Sequence, residues 1–478
     1  MKLSKNKKNL NKMKNKSIFL ILLTGLLFSC KNSFTDLSPI SQRNVADFYK
    51  TGSDVEVAVN AIYSTLHENG CYNESYWVMQ ELRSDNSFWD GTGLARIISV
   101  IDDFEEFAPN EIILRGWNAS YLGVSRANIV LSRIDAVDMD AGLKDRLKGE
   151  ALFLRSLFYY HLAVAFGNIP LVLKEVLSVE EGLDERQVPA SMVYAQLVTD
   201  LIDAENKLPI RNTGADLGRA TKGAAATLLA KIYLTIGDKG SAETVLRRII
   251  SSYGYSLVDN YEDLWGVANE HNSESIFEVE FQGGLGNQGN RFTNDFSAPL
   301  PTSVSGFRNI PELDLLAAFE PGDLRFAATL DTAYTDDSGN FHSSSTDDSR
   351  WTIKYGTENP FNEGDAPNNW IVFRYADVLL MLAEAIGEGT EAYGLINQIR
   401  ARAGLGDIDA STPGTFAEKL LHERRVEFAF ENLRWADLLR FGVADEVMRN
   451  QGKNPNLLFA IPQRELDINS NFVQNPGY

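Results

Sequence analysis

FRYADVLLMLAEA (373–385), LINQIRARAGL (395–405) and LLHERRVEFAFENLRWADLLRFG (420–442) are three segments of helical periodicity separated by short breaks. Apolar residues recur at separations of three, four and seven, as Ile396, Ile399 and Ala403 do, so each segment should bury one face against a neighbouring helix. The run therefore predicts a unit of packed helix pairs.

The same signature recurs upstream. Val55, Val59, Ile62 and Leu66 share one helical face within 47–66, and YLGVSRANIVLSRI (121–134) continues the pattern. LKGEALFLRSLFYYHLAVAF (147–166) is apolar on nearly every side, which marks a central helix surrounded by others, and Gly167-Asn168-Ile169-Pro170 stops it with a glycine cap and a following proline. His161, inside that aromatic run, reads as a core histidine and not as a ligand. Further helices are expected over 191–208, 221–236 and 241–253. TKGAAATLLAKIYLTIGD (221–238) and SAETVLRRIISSYG (241–254), with small residues at close-approach positions and a short Gly-Asp-Lys-Gly turn, resemble a tetratricopeptide pair. The fold class is mainly α, with TPR-like helix pairs forming a curved scaffold over 47–254 and 371–478.

Between these blocks, 255–370, the composition changes. Gly, Asn, Ser, Asp and Pro become frequent, helical periodicity disappears, and only SIFEVEF (275–281) reads as a strand, with Phe277, Val279 and Phe281 on one face. So long a loop-rich insertion is usually functional. Trp351 and Tyr355, with Phe292 and Phe296, are its candidate binding aromatics. A second aromatic and polar segment, CYNESYWVMQELRSDNSFWDGTG (71–93), gathers Trp77, Arg83, Asp85, Asn86, Phe88, Trp89 and Asp90 beside two glycines. Aromatic faces pack on the C–H faces of sugars while Asp, Asn and Arg satisfy hydroxyls, so this mixture suits a glycan. Trp89 is the first choice, because Asp85, Asn86 and Asp90 flank it and Gly91 and Gly93 would keep its loop open. The competing reading places Trp77 and Phe88 in the core and pairs Arg83 with Asp85 structurally.

At the start of the chain, lysines from Lys2 to Lys16 form a positive region and 18–28 an eleven-residue apolar run, the length of a signal peptide and too short to span a bilayer comfortably. Leu27-Phe28-Ser29-Cys30 then resembles a lipobox, although Phe28 is bulkier than usual. Cleavage would make Cys30 a diacylated N-terminus held to a membrane at about 0.8 kcal/mol per buried CH₂. The expected organisation is a signal peptide over 1–29, a lipidated tether over 30–46 and one domain over 47–478.

Composition excludes several functions. The formal charge is −20, and the first 29 residues carry seven lysines and no acid, so removing them leaves 38 basic against 65 acidic groups, or −27. Nucleic acid is set aside on that ground, since phosphate binding relies on clustered Lys and Arg. Two cysteines, Cys30 and Cys71, give no disulfide framework and no Cys/His metal spacing. Motifs for a serine nucleophile, a zincin or a phosphate loop are absent, and the five histidines show no pairing on one helical face. No cofactor is expected; the tract DTAYTDDSGNFHSSSTDD (331–348) could gather oxygens around Ca²⁺ but fails the EF-hand pattern. Glu423, Glu427 and Glu431 lie along one helical stripe, as paired hydrolytic carboxylates would. Arg424, Arg425, Arg434 and Arg440 beside them would lower their pKa values and unsuit them as general acids, so the stripe reads as an ion-pair network bracing helices.

The succession RYADVLLMLAEA, INQIRARAGL, ERRVEFAFENLRWADLLRFG and AIPQRELDINSNFVQNPGY resembles the C-terminal signature of the SusD/RagB family, the surface glycan-binding lipoproteins of Bacteroidetes. The VNAIYSTL helix and the RAN-containing helix resemble its N-terminal pattern. The resemblance is weakest over 255–370. It implies the SusD-like fold, no catalytic residues, attachment to the outer membrane through Cys30 facing outward, a glycan ligand, and a TonB-dependent, SusC-like transporter as partner. The implied function is capture of oligo- or polysaccharide for uptake. The alternatives are a peptide-capturing family member and a lipoprotein glycosidase.

Overall fold

The structure, a computed structural model, describes residues 48–89, 91, 96–286, 288–297, 308–336, 338–345, 348–356 and 364–478. The chain divides into two units, Met1–Lys50 and Thr51–Tyr478. Of the first, residues 48–50 are described, so the signal segment, Cys30 and the tether lie outside the described residues.

In the second unit, α1 (Gly52–Thr65) begins with a reciprocal cap, in which the Thr51 hydroxyl accepts from the Asp54 amide and the Asp54 carboxylate from the Thr51 amide. A short α2 (Ser75–Gln80), strand β1 (Ser87–Phe88) and α3 (Arg96–Asp102) follow, then two long helices, α4 (Glu111–Arg133) and α5 (Ala141–Phe166). From Leu147 onward every side chain of α5 except Lys148 and His161 is buried, as a helix apolar all round requires. A Cβ at Gly123 of α4 would collide with the Phe158 ring of α5, so glycine permits that close crossing. Gly167 ends α5 at φ +70°.

After a five-residue helix at Val179–Leu183, three longer helices complete the first block: α6 (Ala190–Lys207), α7 (Lys222–Thr235) and α8 (Lys239–Ser252). After the insertion come α9 (Tyr375–Ile386), α10 (Thr390–Arg402), α11 (Phe416–Glu427) and α12 (Arg434–Phe441). Neighbours pack in the series α1, α4, α5, α6, α7, α8, α9, α10. The contact of α8 with α9 continues the stack across the insertion, so the helix pairs on either side of it form one array. None of the helices described is long and apolar enough to cross a membrane.

Two expectations about the elements are corrected. The segment 420–442 is not one helix, because 428–433 turns between α11 and α12 with Phe430 at φ +67° and Asn432 at φ +61°. The buried Glu81 carboxylate causes the break, accepting from the Phe430 amide at 2.9 Å and the Asn432 amide at 3.1 Å. The segment starting at Phe373 is helical only from Tyr375. Phe373 and Arg374 belong to a strand of Trp370–Arg374 that pairs antiparallel with Ser275–Val279, closing the insertion at its root. Ile276 and Glu278 are buried along with Phe277 and Val279, so both faces of that strand are covered.

The insertion also holds short strand pairs that the sequence did not announce. Counting β1 as above and the root strand Ser275–Val279 as β2, they are β3 (Ile310–Pro311) on β1, β4 (Leu330–Asp331) on β7 (Trp351–Thr352), and the hairpin β5 (Ala333–Thr335) with β6 (Phe341–Ser343). The closing root strand is β8.

The carboxylate stripe is a buried ion-pair network. Glu427 accepts from Arg374 at 2.5 Å and Arg325 at 3.0 Å, and also from Arg402; Glu423 meets Arg325 at 2.6 Å, and Glu431 meets Arg374 at 2.7 Å and Lys354 at 2.8 Å. Burial opposes ionisation of Glu427, but Arg402, Arg374 and Arg325 outweigh it and hold the carboxyl far below its ordinary range. A group so held cannot donate a proton near neutrality. Arg325 and Lys354 come from the insertion and Glu427 from the scaffold, so the network fastens one to the other.

Candidate glycan-binding face

Six of the seven expected contact residues are interior. Trp77 is fully buried with its ring edge-on to Phe296 at 5.0 Å. Arg83 is fully buried, ion-paired to Glu106 at 2.5 Å and laid over the Phe459 ring at 3.8 Å. Its partner is thus Glu106, not Asp85. Asp85 receives two hydrogen bonds from Arg434, at 2.6 and 2.7 Å, and burial, which raises its pKa, is outweighed by Arg434 and Arg425 so that the carboxyl sits below its usual range. Asn86 donates to Glu81 at 2.9 Å and accepts from Arg425 at 3.0 Å. Tyr355 stacks on Trp370 at 4.8 Å and donates to the Phe430 carbonyl, and Trp351 is 2% exposed. The reading of these six as an exposed contact surface is corrected: all six are buried, Arg83, Asp85, Asn86 and Tyr355 bond to groups inside the protein, and the set braces the loops.

Trp89 is different, because it is half-buried. Its amide donates to Asp102 Oδ2 at 3.2 Å, its indole lies across its own loop where a Cβ at Gly91 would collide with the ring, and the Arg308 guanidinium stands 5.7 Å from the ring centre. Burial pushes the Asp102 carboxyl up to about 6, against the pull of Lys453. Of the residues around Trp89, Asp90 and Gly93 lie outside the described residues.

Arg308 leads from Trp89 to a polar cleft. It approaches Glu74 and Asp295, each at 3.5 Å, and Arg291 binds the same Asp295 at 2.9 Å while Arg115 pairs with Glu74. Beyond Arg291 opens a cleft of about 810 Å³ whose walls include Asn69, Asn73, Gln288, Asn294 and Asp295. Side-chain amides, carboxylates and the Arg291 guanidinium lining one cleft are the kind of donor and acceptor set that sugar hydroxyls use.

The short strands also carry aromatics. Phe88, half-buried, faces Arg350 at 5.2 Å; Trp351 meets Tyr334 edge-on at 5.7 Å; and Tyr334 stacks on His342 at 4.7 Å and 11° across the hairpin. Phe341 on the same hairpin is 72% exposed. Sequence reasoning missed Arg291, Asp295, Arg308, Tyr334 and His342. For the hairpin a signal existed, since AYT and FHS flank the turn Asp-Asp-Ser-Gly-Asn. For the arginines none did, because their meeting depends on tertiary folding.

Two places bear on cations. In the tract expected to suit Ca²⁺, the Asp336 carboxylate accepts from the amides of Ser338 and Asn340 and from the Asn340 side chain, as a turn residue does. Elsewhere His271, Glu278 and Glu280 bring ligand atoms within 4.8 Å of one another, and the Asn369 amide donates to both carboxylates, at 2.9 and 3.1 Å.

Comparison with known proteins gives the following likenesses. A family model described as the SusD family matches residues 340–457, and one described as starch-binding associating with outer membrane matches residues 34–234. SusD-like protein P2 of Formosa agariphila is 26% identical over 98% of this chain and 100% of its own. Starch-binding protein SusD of Bacteroides thetaiotaomicron is 25% identical over 72% of this chain and 75% of its own. The solved structure of a laminarin binding SusD-like protein superposes with a TM-score of 0.79 at 29% identity, covering 90% of this chain and 100% of that one.

Proposed function

The chain belongs to the SusD/RagB family, and from that membership we propose that it is a glycan-binding lipoprotein of the outer-membrane surface. It captures an oligo- or polysaccharide on the face that runs from the polar cleft across Arg308 and Trp89 to the Tyr334–His342 hairpin, and passes it to a TonB-dependent, SusC-like transporter. Lipid on Cys30 provides the attachment. The observation that carries the reading is Trp89, a half-buried indole facing the Arg308 guanidinium, which approaches Asp295 in the wall of the polar cleft. Similarity to a laminarin binding SusD-like protein and to a starch-binding one supports the ligand class.

No hydrolysis is part of the function. Glu427 is held ionised by Arg374, Arg402 and Arg325, and Glu423 and Glu431 are engaged in buried pairs with Arg325, Arg374 and Lys354, so neither acid nor nucleophile is available among them.

The test is isothermal titration of the mature protein with laminarin, soluble starch and a peptide digest, together with affinity capture of transporter from the membranes of the source cell. Saturable heat with a glycan, and a TonB-dependent barrel retained by the protein, are expected. Heat with peptides alone would transfer the function to the peptide-capturing reading.

A further inference from the structure

We propose that His271, Glu278 and Glu280 form a binding site for one divalent transition-metal ion at the root of the insertion. One ligand atom from each, an imidazole nitrogen and two carboxylate oxygens, lies within 4.8 Å of the others. Glu278 sits in the root strand β2, Glu280 just beyond it, and His271 in the turn before it. The His271 ring stands between the carboxylates, with Nε2 3.2 Å from Glu280 and Nδ1 4.0 Å from Glu278.

A single neighbour aims the carboxylates. Asn369, 7% exposed, accepts from the Phe281 amide on Oδ1 at 2.8 Å, which turns its NH₂ toward Glu278 at 2.9 Å and Glu280 at 3.1 Å. Its backbone amide donates to Glu270 at 2.8 Å. Each carboxylate oxygen keeps a second lone pair for an ion, and an outer amide that fixes ligand orientation is a regular companion of metal sites.

Charge calls for a cation. Three carboxylates meet at Asn369, and among the described residues their only ion-pair partner is His271. Protonated, that imidazole would neutralise one of the three. Glu278 is 3% exposed, whereas buried carboxylates elsewhere, such as Glu423 and Glu427, are matched by guanidiniums. Buried charge is paired or held on a metal, and here the pairing is incomplete. Entry is open, since a cavity of about 340 Å³ is walled in part by His271 and Glu278, and another of about 210 Å³ by Glu278 and Glu280. One imidazole nitrogen with two carboxylate oxygens suits Zn²⁺ and its neighbours better than Ca²⁺, which takes oxygen ligands. The ion would fasten the turn before β2 to that strand, at the base of the segment that carries Arg291 and Asp295.

The experiment titrates the chelator-treated mature protein, prepared without a histidine tag, with ZnCl₂ and separately with CaCl₂, by calorimetry and by thermal unfolding. His271→Gln and Glu280→Gln are measured beside it, both at half-buried positions where loss of the fold is not expected. The expected result is one Zn²⁺ per chain, a melting temperature raised by Zn²⁺ and not by Ca²⁺, and affinity weakened about tenfold or more in each variant. A chain that binds no Zn²⁺, one that responds equally to Ca²⁺, or a folded variant that keeps the wild-type affinity would overturn the proposal.

Discussion

Arg434 clasps Asp85 through two hydrogen bonds, of 2.6 and 2.7 Å, across 349 positions of sequence. The pair ties the start of α12 to the segment that leads through Asn86 and β1 to Trp89, with Arg425 on the same carboxylate at 3.3 Å. Asp85→Ala should cost about 3–5 kcal/mol of stability, since it leaves two guanidiniums without their buried partner. The pH dependence has a definite sign. Asp85 titrates below its unfolded value, so its contribution is complete above about pH 3.9 and is lost as pH falls through the folded value. Thermal unfolding from pH 7 to pH 3 should therefore show a steeper acid decline in the wild type than in Asp85→Ala.

Glu427 separates the structural account from an enzymatic one. Glu427→Gln removes the charge facing Arg374, Arg402 and Arg325 and should lower stability by about 3–5 kcal/mol. The wild type should leave laminarin and starch chains at their original length on prolonged incubation. Chromatographic detection of shortened products from the wild type and none from the variant would convict the stripe of catalysis.

Trp77→Ala and Trp351→Ala should behave as core truncations, each costing about 3–5 kcal/mol and lowering the melting temperature. Glycan affinity per folded molecule should stay within a factor of about two of the wild type. A variant that keeps its melting temperature and loses affinity would return that tryptophan to the binding surface.

Anchorage is tested at Cys30. Wild-type protein grown with labelled fatty acid should carry the label and sediment with membranes, and Cys30→Ala should do neither. Equal labelling of the two would remove the lipid anchor from the account.

The scaffold was legible because its information is local. The period of Ile396, Ile399 and Ala403, the all-round apolarity of 147–166 and the Gly-Asn-Ile-Pro stop each name an element without reference to the rest of the chain. The break at 428–433 was not legible, because the group that imposes it, Glu81, lies about 350 residues away. Composition misled about the candidate site for a related reason. Trp77, Arg83, Asp85 and Asn86 have the chemistry of a sugar site, but a buried network of ion pairs and aromatic rings uses the same residue types. Only burial distinguishes the two, and Trp89, twelve residues past Trp77, falls on the other side of that line.

Trp89→Ala is the most direct test of the central claim, measured as glycan affinity by calorimetry beside thermal unfolding of the same preparation. Loss of an indole that packs on the sugar should weaken binding by about 1–3 kcal/mol, roughly ten- to a hundredfold, while the melting temperature stays near that of the wild type. Unchanged affinity in a variant that melts early would contradict the account and make Trp89 one more structural tryptophan.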